Sequence, residues 1–170
     1  QKKIKKILAI CWGMQVAVVA AGGEVKKSSN GSHIGIAFDI ELNPNGQRHP
    51  IYKGKKKKFC SPAFNFDEVV TLPKDATLLA SNNINKISSI SFNHEKSEIW
   101  GIQYHPEIKY EKMIELIKFR KDRLINQRKA FKSYDEIDHH ISLIKNELSK
   151  SEINHRMIEL KNWLGSINGN

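Results

Sequence analysis

Cys11 is the first residue whose type and setting predict chemistry. It stands between a short apolar run at residues 7–10, typical of a buried strand, and a predicted helix at residues 14–21. A cysteine on such a turn lies at the carboxyl edge of a sheet, where open α/β sheets place their sites. The amino end of the helix would stabilise a thiolate, the reactive form of cysteine. This segment alone leaves two interpretations open, a catalytic nucleophile and a buried structural cysteine.

His105 and Glu107 form a second group with chemical potential. His105 ends a predicted strand at residues 98–104, and Glu107 follows two positions later. Side chains at this spacing can face the same way, so Glu107 would orient the imidazole while His105 accepts a proton from the Cys11 thiol. The alternative is a surface histidine beside a turn proline. Together, the two groups favour a catalytic Cys-His-Glu site over two unrelated features.

The elements that must position these residues follow from the hydrophobic pattern. Strand, tight turn and helix in succession indicate an α/β protein. Further strands are predicted at residues 31–42, 58–64, 76–80, 87–92 and 98–104, and a turn at residues 43–46. One helix is predicted at about residues 110–128. Two more are predicted after the capping boxes Ser133/Glu136 and Ser149/Glu152.

Composition and charge exclude several classes of protein. Hydrophobic residues make up 39% and charged residues 27%, which is a globular balance. No apolar run approaches the roughly 18 residues of a membrane helix, so no membrane association is expected. The net charge of +10 includes a lysine run at residues 55–58. We interpret this run as a solvated surface and expect no nucleic-acid partner, because aromatic residues are not interleaved with the lysines.

The remaining cysteine and the histidines predict no further chemistry. Cys11 and Cys60 lie 49 residues apart and form neither a disulfide framework nor a metal-binding pair. A structural role is expected for Cys60, and a cytoplasmic location for the protein. The other histidines lack ligand spacing, so no metal is expected.

Two segments resemble the motifs of a known family. Residues 10–15 (ICWGMQ) resemble the nucleophile motif of class I, triad-type glutamine amidotransferases, and residues 101–107 (GIQYHPE) resemble their His-Pro-Glu motif. Residues 67–82 are similar to the region between those motifs. The similarity spans roughly residues 4–120 and is strongest to stand-alone, GMP synthase-like members, whose C-terminal helices resemble residues 121–165.

The resemblance implies roles for the triad and a fold around it. Cys11 would be the nucleophile, His105 the general base and acid, and Glu107 the group that orients His105. Residues 1–120 would form a three-layer αβα, flavodoxin-like amidotransferase domain that lacks its N-terminal strands. Residues 121–170 would form a C-terminal helical extension.

The resemblance also implies how substrate is held. The amide of Trp12 would supply half of the oxyanion hole, Gln15 would help to bind glutamine, and Gly13 would allow the tight turn at the substrate site. Asn65 and Phe66 precede Asp67, where relatives often carry a histidine. The family's upstream glycine-containing loop, which gives the second oxyanion amide, has no counterpart before Gln1, so we expect a truncated chain.

The implied reaction is hydrolysis of glutamine to glutamate and ammonia through a cysteinyl thioester, without a cofactor. Since the sequence has no Gly-x-x-x-x-Gly-Lys loop, any ammonia acceptor is expected on a separate synthase chain. Two alternatives remain open: a γ-glutamyl peptide hydrolase on the same scaffold, and a non-catalytic binding or regulatory relative.

Overall fold

The described part of the chain, residues 5–167 of a computed structural model, alternates strands and helices and then becomes wholly helical. The strands are β1 Lys5–Ile10, β2 Glu24–Lys27, β3 His33–Ile34, β4 Ala37–Leu42, β5 Lys58–Ser61, β6 Phe64–Asn65, β7 Asp67–Thr71, β8 Thr77–Ser81, β9 Ser89–His94 and β10 Ser97–Ile102. The helices are α1 Trp12–Ala20, α2 Pro44–Arg48, α3 Tyr110–Asn126, α4 Tyr134–Leu148, α5 Ile153–Arg156 and α6 Ile158–Ile167, and Pro50–Tyr52 forms one 3-10 turn. Every helix in residues 5–167 is too short or too polar to cross a bilayer.

A six-stranded sheet in the order β1-β10-β9-β8-β4-β5 forms the centre of the molecule. β1 and β10 are parallel, with Ile10 opposite Ile102, and the other neighbouring pairs are antiparallel. Because β1 and β10 end side by side, the residues that follow them share one edge of the sheet. Cys11 is thereby brought beside the segment that contains His105.

Both faces of this sheet are covered, and the predicted three-layer αβα architecture is confirmed. On one face, α1 packs against the sheet through an apolar cluster that includes Ala9, Met14, Val18, Ile90 and Ile99. The opposite face carries a second cluster that includes Tyr52, Phe59, Trp100, Ile102 and Tyr104, and Trp163 of α6 packs against it. Successive residues of β10 therefore contribute side chains to the apolar clusters on opposite faces of the sheet.

The C-terminal helices form as expected at the first capping box and differ at the second. The Ser133 hydroxyl accepts the Glu136 amide at 3.3 Å and begins α4. Ser149 does not begin a helix, because its hydroxyl donates to the Asn146 carbonyl at 2.7 Å and closes the end of α4. The next helix begins after Glu152 and is interrupted at Met157, giving α5 and α6.

Two other local predictions are wrong for identifiable reasons. The turn predicted at residues 43–46 begins α2 instead, because the Asn43 side chain accepts the Gly46 amide at 2.9 Å and caps that helix. The lysine run is not a uniformly solvated surface. The Lys55 side chain is 1% exposed and pairs with Glu159, at 0% exposed, over 2.9 Å.

The division into an amidotransferase domain and a helical extension stays a prediction. Its boundary after residue 120 falls within α3, which runs without interruption from Tyr110 to Asn126. The inner face of α3 packs with α4 and Ile34 in a third apolar cluster. In the described residues, α3 therefore connects the sheet to the helices that follow.

Candidate active site

Cys11 occupies a strained turn between β1 and α1. Its φ of 52° and ψ of −111° lie outside the regions that a residue with a side chain favours. Its amide donates to the Ile102 carbonyl at 2.7 Å, and its carbonyl accepts the Gln15 amide at 3.2 Å. The turn is therefore fastened to β10 on one side and to α1 on the other, with the thiol at the sheet edge.

His105 and Glu107 lie just beyond the end of β10. The His105 Nδ1 and the Glu107 Oε1 are 2.5 Å apart, which leaves Nε2 for a second partner. The His105 amide donates to the Pro62 carbonyl at 2.7 Å, which holds the backbone of this segment against the chain before β6. Glu107 is exposed, so its carboxylate depends on His105 and on its own backbone for its position.

Cys11 and Glu107 both influence the protonation of the His105 imidazole. Burial lowers the pKa of His105, but hydrogen bonds with Cys11 and Glu107 and the charges of both groups outweigh it and raise the pKa to about 9. His105 is therefore protonated at neutral pH.

Gln103 was not singled out in the sequence, yet it links two predicted site residues. Its Nε2 donates to the Cys11 sulfur at 3.5 Å, and its Oε1 accepts Gln15 Nε2 at 3.2 Å. Gln15 Nε2 also donates to the Asp67 carbonyl at 3.1 Å. The available signal was the position of Gln103 two residues before His105, which places both on one side of an extended chain.

Trp12 and Gly13 form the first turn of α1. Amides in a first helical turn have no acceptor within the helix, so α1 itself does not use the Trp12 amide that is predicted to meet a developing oxyanion. The Trp12 side chain itself is largely exposed. The oxyanion role of the Trp12 backbone amide stays a prediction.

The reason given for glycine at position 13 is wrong. Gly13 has no positive φ, and a Cβ there would meet nothing within 4 Å. The strained residue of the turn is Cys11, and close packing between α1 and the sheet occurs at Gly101, where a Cβ would lie 2.9 Å from Met14 Cγ. The space over Gly13 leaves room for a substrate, and its place in the substrate site stays a prediction.

Asn65 belongs to a buried polar network behind the site. Its Oδ1 lies 2.9 Å from His33 Nδ1, and its Nδ2 donates to Asn85 Oδ1 at 3.1 Å and to the Asp67 carbonyl at 3.0 Å. Burial lowers the pKa of His33, so its ring is neutral. Asn65 and Gln15 thus fix the same carbonyl from two directions.

An open, largely apolar groove begins beside the turn that contains Cys11. It runs along the outer side of α1 towards β2 and is lined mainly by Trp12, Val16, Val19 and Val25, with Gln15 and Asp67 at its polar end. An uncharged substrate group larger than ammonia would contact apolar side chains in this groove.

The other potentially reactive groups lie apart from this edge. Burial raises the pKa of Cys60 to about 11, so it is a neutral thiol at physiological pH. Within residues 5–167, no three His, Cys, Asp or Glu side chains come together in a way that would hold a metal ion.

Comparison with known proteins gives concordant matches. Residues 2–121 match the family model "Glutamine amidotransferase class-I". The chain is 40% identical over 105 residues to a gamma-glutamyl-L-1-hydroxyisopropylamide hydrolase from Pseudomonas sp., covering 60% of this chain and 35% of that protein. It is 38% identical over 104 residues to one subunit of a glutamine-hydrolysing GMP synthase from Methanosphaera stadtmanae, covering 61% of this chain and 52% of that protein.

A solved structure shares the fold. A glutamine amidotransferase from Thermotoga maritima superposes with a TM-score of 0.65 at 19% identity, covering 96% of this chain and 62% of that one. The chain thus spans about a third to a half of the curated relatives named above.

Proposed function

The chain belongs to the class-I glutamine amidotransferase family, and from that premise we propose that it hydrolyses the side-chain amide of glutamine to glutamate and ammonia. Cys11 is the nucleophile, His105 the acid and base, and Glu107 the group that orients His105. The observation that carries this proposal is that the paired ends of β1 and β10 bring Cys11 to the same sheet edge as His105. There Gln103 donates to the Cys11 sulfur and the His105 imidazole bonds to the Glu107 carboxylate.

In the first half of the reaction, the Cys11 thiolate attacks the amide carbon and the carbonyl oxygen becomes an oxyanion. The Trp12 amide donates to that oxyanion, which supplies one of its hydrogen bonds. The C–N bond then breaks as His105 gives its proton to the departing nitrogen, and ammonia leaves. A γ-glutamyl thioester remains on Cys11, and His105 is neutral.

In the second half, neutral His105 takes a proton from water, and the hydroxide attacks the thioester carbon. Collapse of the intermediate breaks the C–S bond, releases glutamate and regenerates the thiolate beside protonated His105. The hydrogen bond from Nδ1 to Glu107 keeps Nε2 directed at the reacting atoms through both halves. Atoms and protons balance without a cofactor.

We further propose that the ammonia is used by an acceptor site on another chain, in the cytoplasm. The relative from Methanosphaera stadtmanae is described as one subunit of a glutamine-hydrolysing GMP synthase, and that name supports a division of labour between chains. The partners we expect are therefore glutamine and a separate synthase chain.

A second candidate is hydrolysis of a γ-glutamyl amide that carries a larger leaving group. Two observations favour it: the 40% identity to a protein named as such a hydrolase, and the open apolar groove that begins beside Cys11. The chemistry at Cys11 is the same in both candidates, and only the group that leaves with the nitrogen differs.

The test of the proposed function uses Cys11→Ala and Cys60→Ala in the protein expressed from its complete gene. We expect Cys11→Ala to abolish glutamate release with an unchanged melting curve, while Cys60→Ala keeps most of it. Undiminished release by Cys11→Ala would remove Cys11 from its role. A folded wild-type protein without turnover of any γ-glutamyl amide would favour the non-catalytic alternative.

Substrate choice is decided by comparing kcat/KM for glutamine with that for a γ-glutamyl alkylamide. A preference for glutamine supports the amidotransferase. A preference for the alkylamide supports the second candidate, and Val16→Ser and Val19→Ser, which place hydroxyls in the groove, would then lower kcat/KM for the alkylamide more than for glutamine.

A further inference from the structure

Arg156, in the short helix α5, contacts the segment between His105 and the start of α3. Its buried guanidinium donates through Nη1 to the carbonyls of Pro106 and Ile108, the latter at 2.8 Å. These two carbonyls flank Glu107 on either side. Among the described residues, Arg156 forms no ion pair within 4 Å, so the backbone of this segment is its principal polar contact.

The residue before His105 is held from the same direction. The Tyr104 hydroxyl donates to Glu159 Oε1 at 2.8 Å and lies 2.7 Å from the Tyr52 hydroxyl. Lys55 donates to Glu159 Oε2 at 2.9 Å and to the His155 carbonyl at 2.8 Å. The helices α5 and α6 therefore hydrogen-bond to the chain both before and after His105.

Glu107 needs such support because its own side chain is exposed. An exposed carboxylate on an unrestrained segment would sample many positions, and its hydrogen bond to His105 would be intermittent. The other backbone bonds of this segment are few: the His105 amide to Pro62, and the Ile108 amide to the His105 carbonyl at 3.2 Å. Neither of them holds Glu107 itself.

We propose that Arg156 is a positioning residue. It fixes the Pro106–Ile108 backbone so that the Glu107 carboxylate remains hydrogen-bonded to His105 in the reactive geometry. The inference rests on the proposed function, since it assigns Arg156 to the orientation of the same acid and base. It gives the C-terminal helices a role in the chemistry, although their own side chains lie outside the site.

The test compares Arg156→Gln, Arg156→Lys and a matched control, Arg123→Gln, in the protein expressed from its complete gene. Arg123 is an exposed arginine in α3. The first readout is the titration of the His105 ring followed by NMR, with the resonance identified by its loss in His105→Gln. The second is kcat and KM for glutamine, with melting curves recorded for every variant.

We expect Arg156→Gln to lower the pKa of His105 from about 9 towards its ordinary value, since the Glu107 bond weakens. The resulting misplacement of Glu107 and His105 should cut kcat about tenfold to a hundredfold and leave KM within about twofold. Arg156→Lys should recover part of both effects, because an ammonium still donates to the carbonyls. Arg123→Gln should match the wild type in both readouts.

A folded Arg156→Gln variant with the wild-type His105 titration and wild-type kcat would overturn the inference. If Arg156→Gln does not fold, Tyr104→Phe takes its place, because it removes one hydroxyl and keeps the ring. A smaller shift in the same direction then supports positioning by the C-terminal helices, and an unchanged titration overturns it. The titration needs no turnover, so a protein that releases no glutamate would contradict the proposed function while still deciding this inference.

Discussion

The charge state of His105 is the residue-scale property on which the proposed chemistry depends. Desolvation opposes protonation, and the neighbouring Cys11 and Glu107 reverse that effect. In the proposed reaction, a proton held through neutral pH is available to the leaving nitrogen, and its departure generates the base that the second half needs. The strained φ of 52° at Cys11 belongs to the turn that ends β1 at this sheet edge, where Gln103 donates to the Cys11 sulfur at 3.5 Å.

This charge state predicts a pH dependence of stability. The pKa of His105 is raised from 6.5 to about 9 on folding, so its contribution is complete below pH 6.5 and is lost as pH rises through about 9. We expect the wild-type advantage over His105→Gln in the free energy of unfolding to shrink between these limits. Allowing for solvent screening of this partly exposed ring, the change should be on the order of 2 kcal/mol, measured by urea unfolding at several pH values. A constant advantage across that window would contradict the assigned charge.

At the scale of elements, the contact between α1 and β10 fixes the position of the turn that contains Cys11. Gly101 lets Met14 of α1 approach the sheet, since a Cβ at that position would lie 2.9 Å from Met14 Cγ and 3.0 Å from Ile90 Cγ1. Gly13 faces open space. Gly101 therefore serves close packing, whereas the role predicted for Gly13 in the substrate site is independent of packing.

The prediction at this scale compares Gly101→Ala with Gly13→Ala. Gly101→Ala should destabilise the protein by about 1–3 kcal/mol, because Met14 must leave its rotamer or the helix must shift. Gly13→Ala should keep or raise stability, by up to about 1 kcal/mol, because alanine favours the helix. Its glutamine KM should rise if substrate lies over this position. Equal losses of stability in both variants, measured by urea denaturation, would contradict the separation.

Much of the element order and the site could be predicted from local signals. The apolar run before Cys11, the strand that leads to His105, and the cap at Ser133 each depend on residues near in sequence. The fold class also followed, since strand, turn and helix in that order require a sheet with its site at one edge.

The remainder depends on long-range pairing that a local pattern does not encode. Gln103 meets Cys11 only because β1 and β10 pair in one particular register. Lys55 belongs to a hydrophilic run, and it can be buried only because Glu159, far along the chain, pairs with it. Ser149 has the spacing of a capping box, but its hydroxyl donates to the Asn146 carbonyl at the end of α4 instead.

On the scale of the whole molecule, the buried Lys55–Glu159 pair connects the sheet to the C-terminal helices. Burial lowers the pKa of Lys55 and raises that of Glu159. The charge of Glu159 opposes the first shift, and the charge of Lys55 opposes the second. Lys55 also donates to the carbonyls at the end of α5 and lies 4.5 Å from the centre of the Phe59 ring. Loss of one partner would leave the other charged and buried.

Lys55→Met should therefore cost about 3–5 kcal/mol of stability, measured by chemical denaturation. The double variant Lys55→Met/Glu159→Gln should recover part of this loss, because it removes the unpaired carboxylate. Lys57→Met, which breaks the exposed pair with Glu41, serves as the control and should cost less than about 1 kcal/mol. Similar losses from Lys55→Met and Lys57→Met would show that the buried pair does not connect the two parts.

The most direct test of the catalytic assignment is covalent labelling with an electrophilic glutamine analogue, followed by peptide mass mapping. If Cys11 is the nucleophile, the protein expressed from its complete gene should acquire one adduct, on the peptide that contains Cys11. Free glutamine should slow its formation, His105→Gln should slow it further, and Cys60 should remain unmodified. A folded protein that gains no adduct, or gains it only at Cys60, would contradict the account.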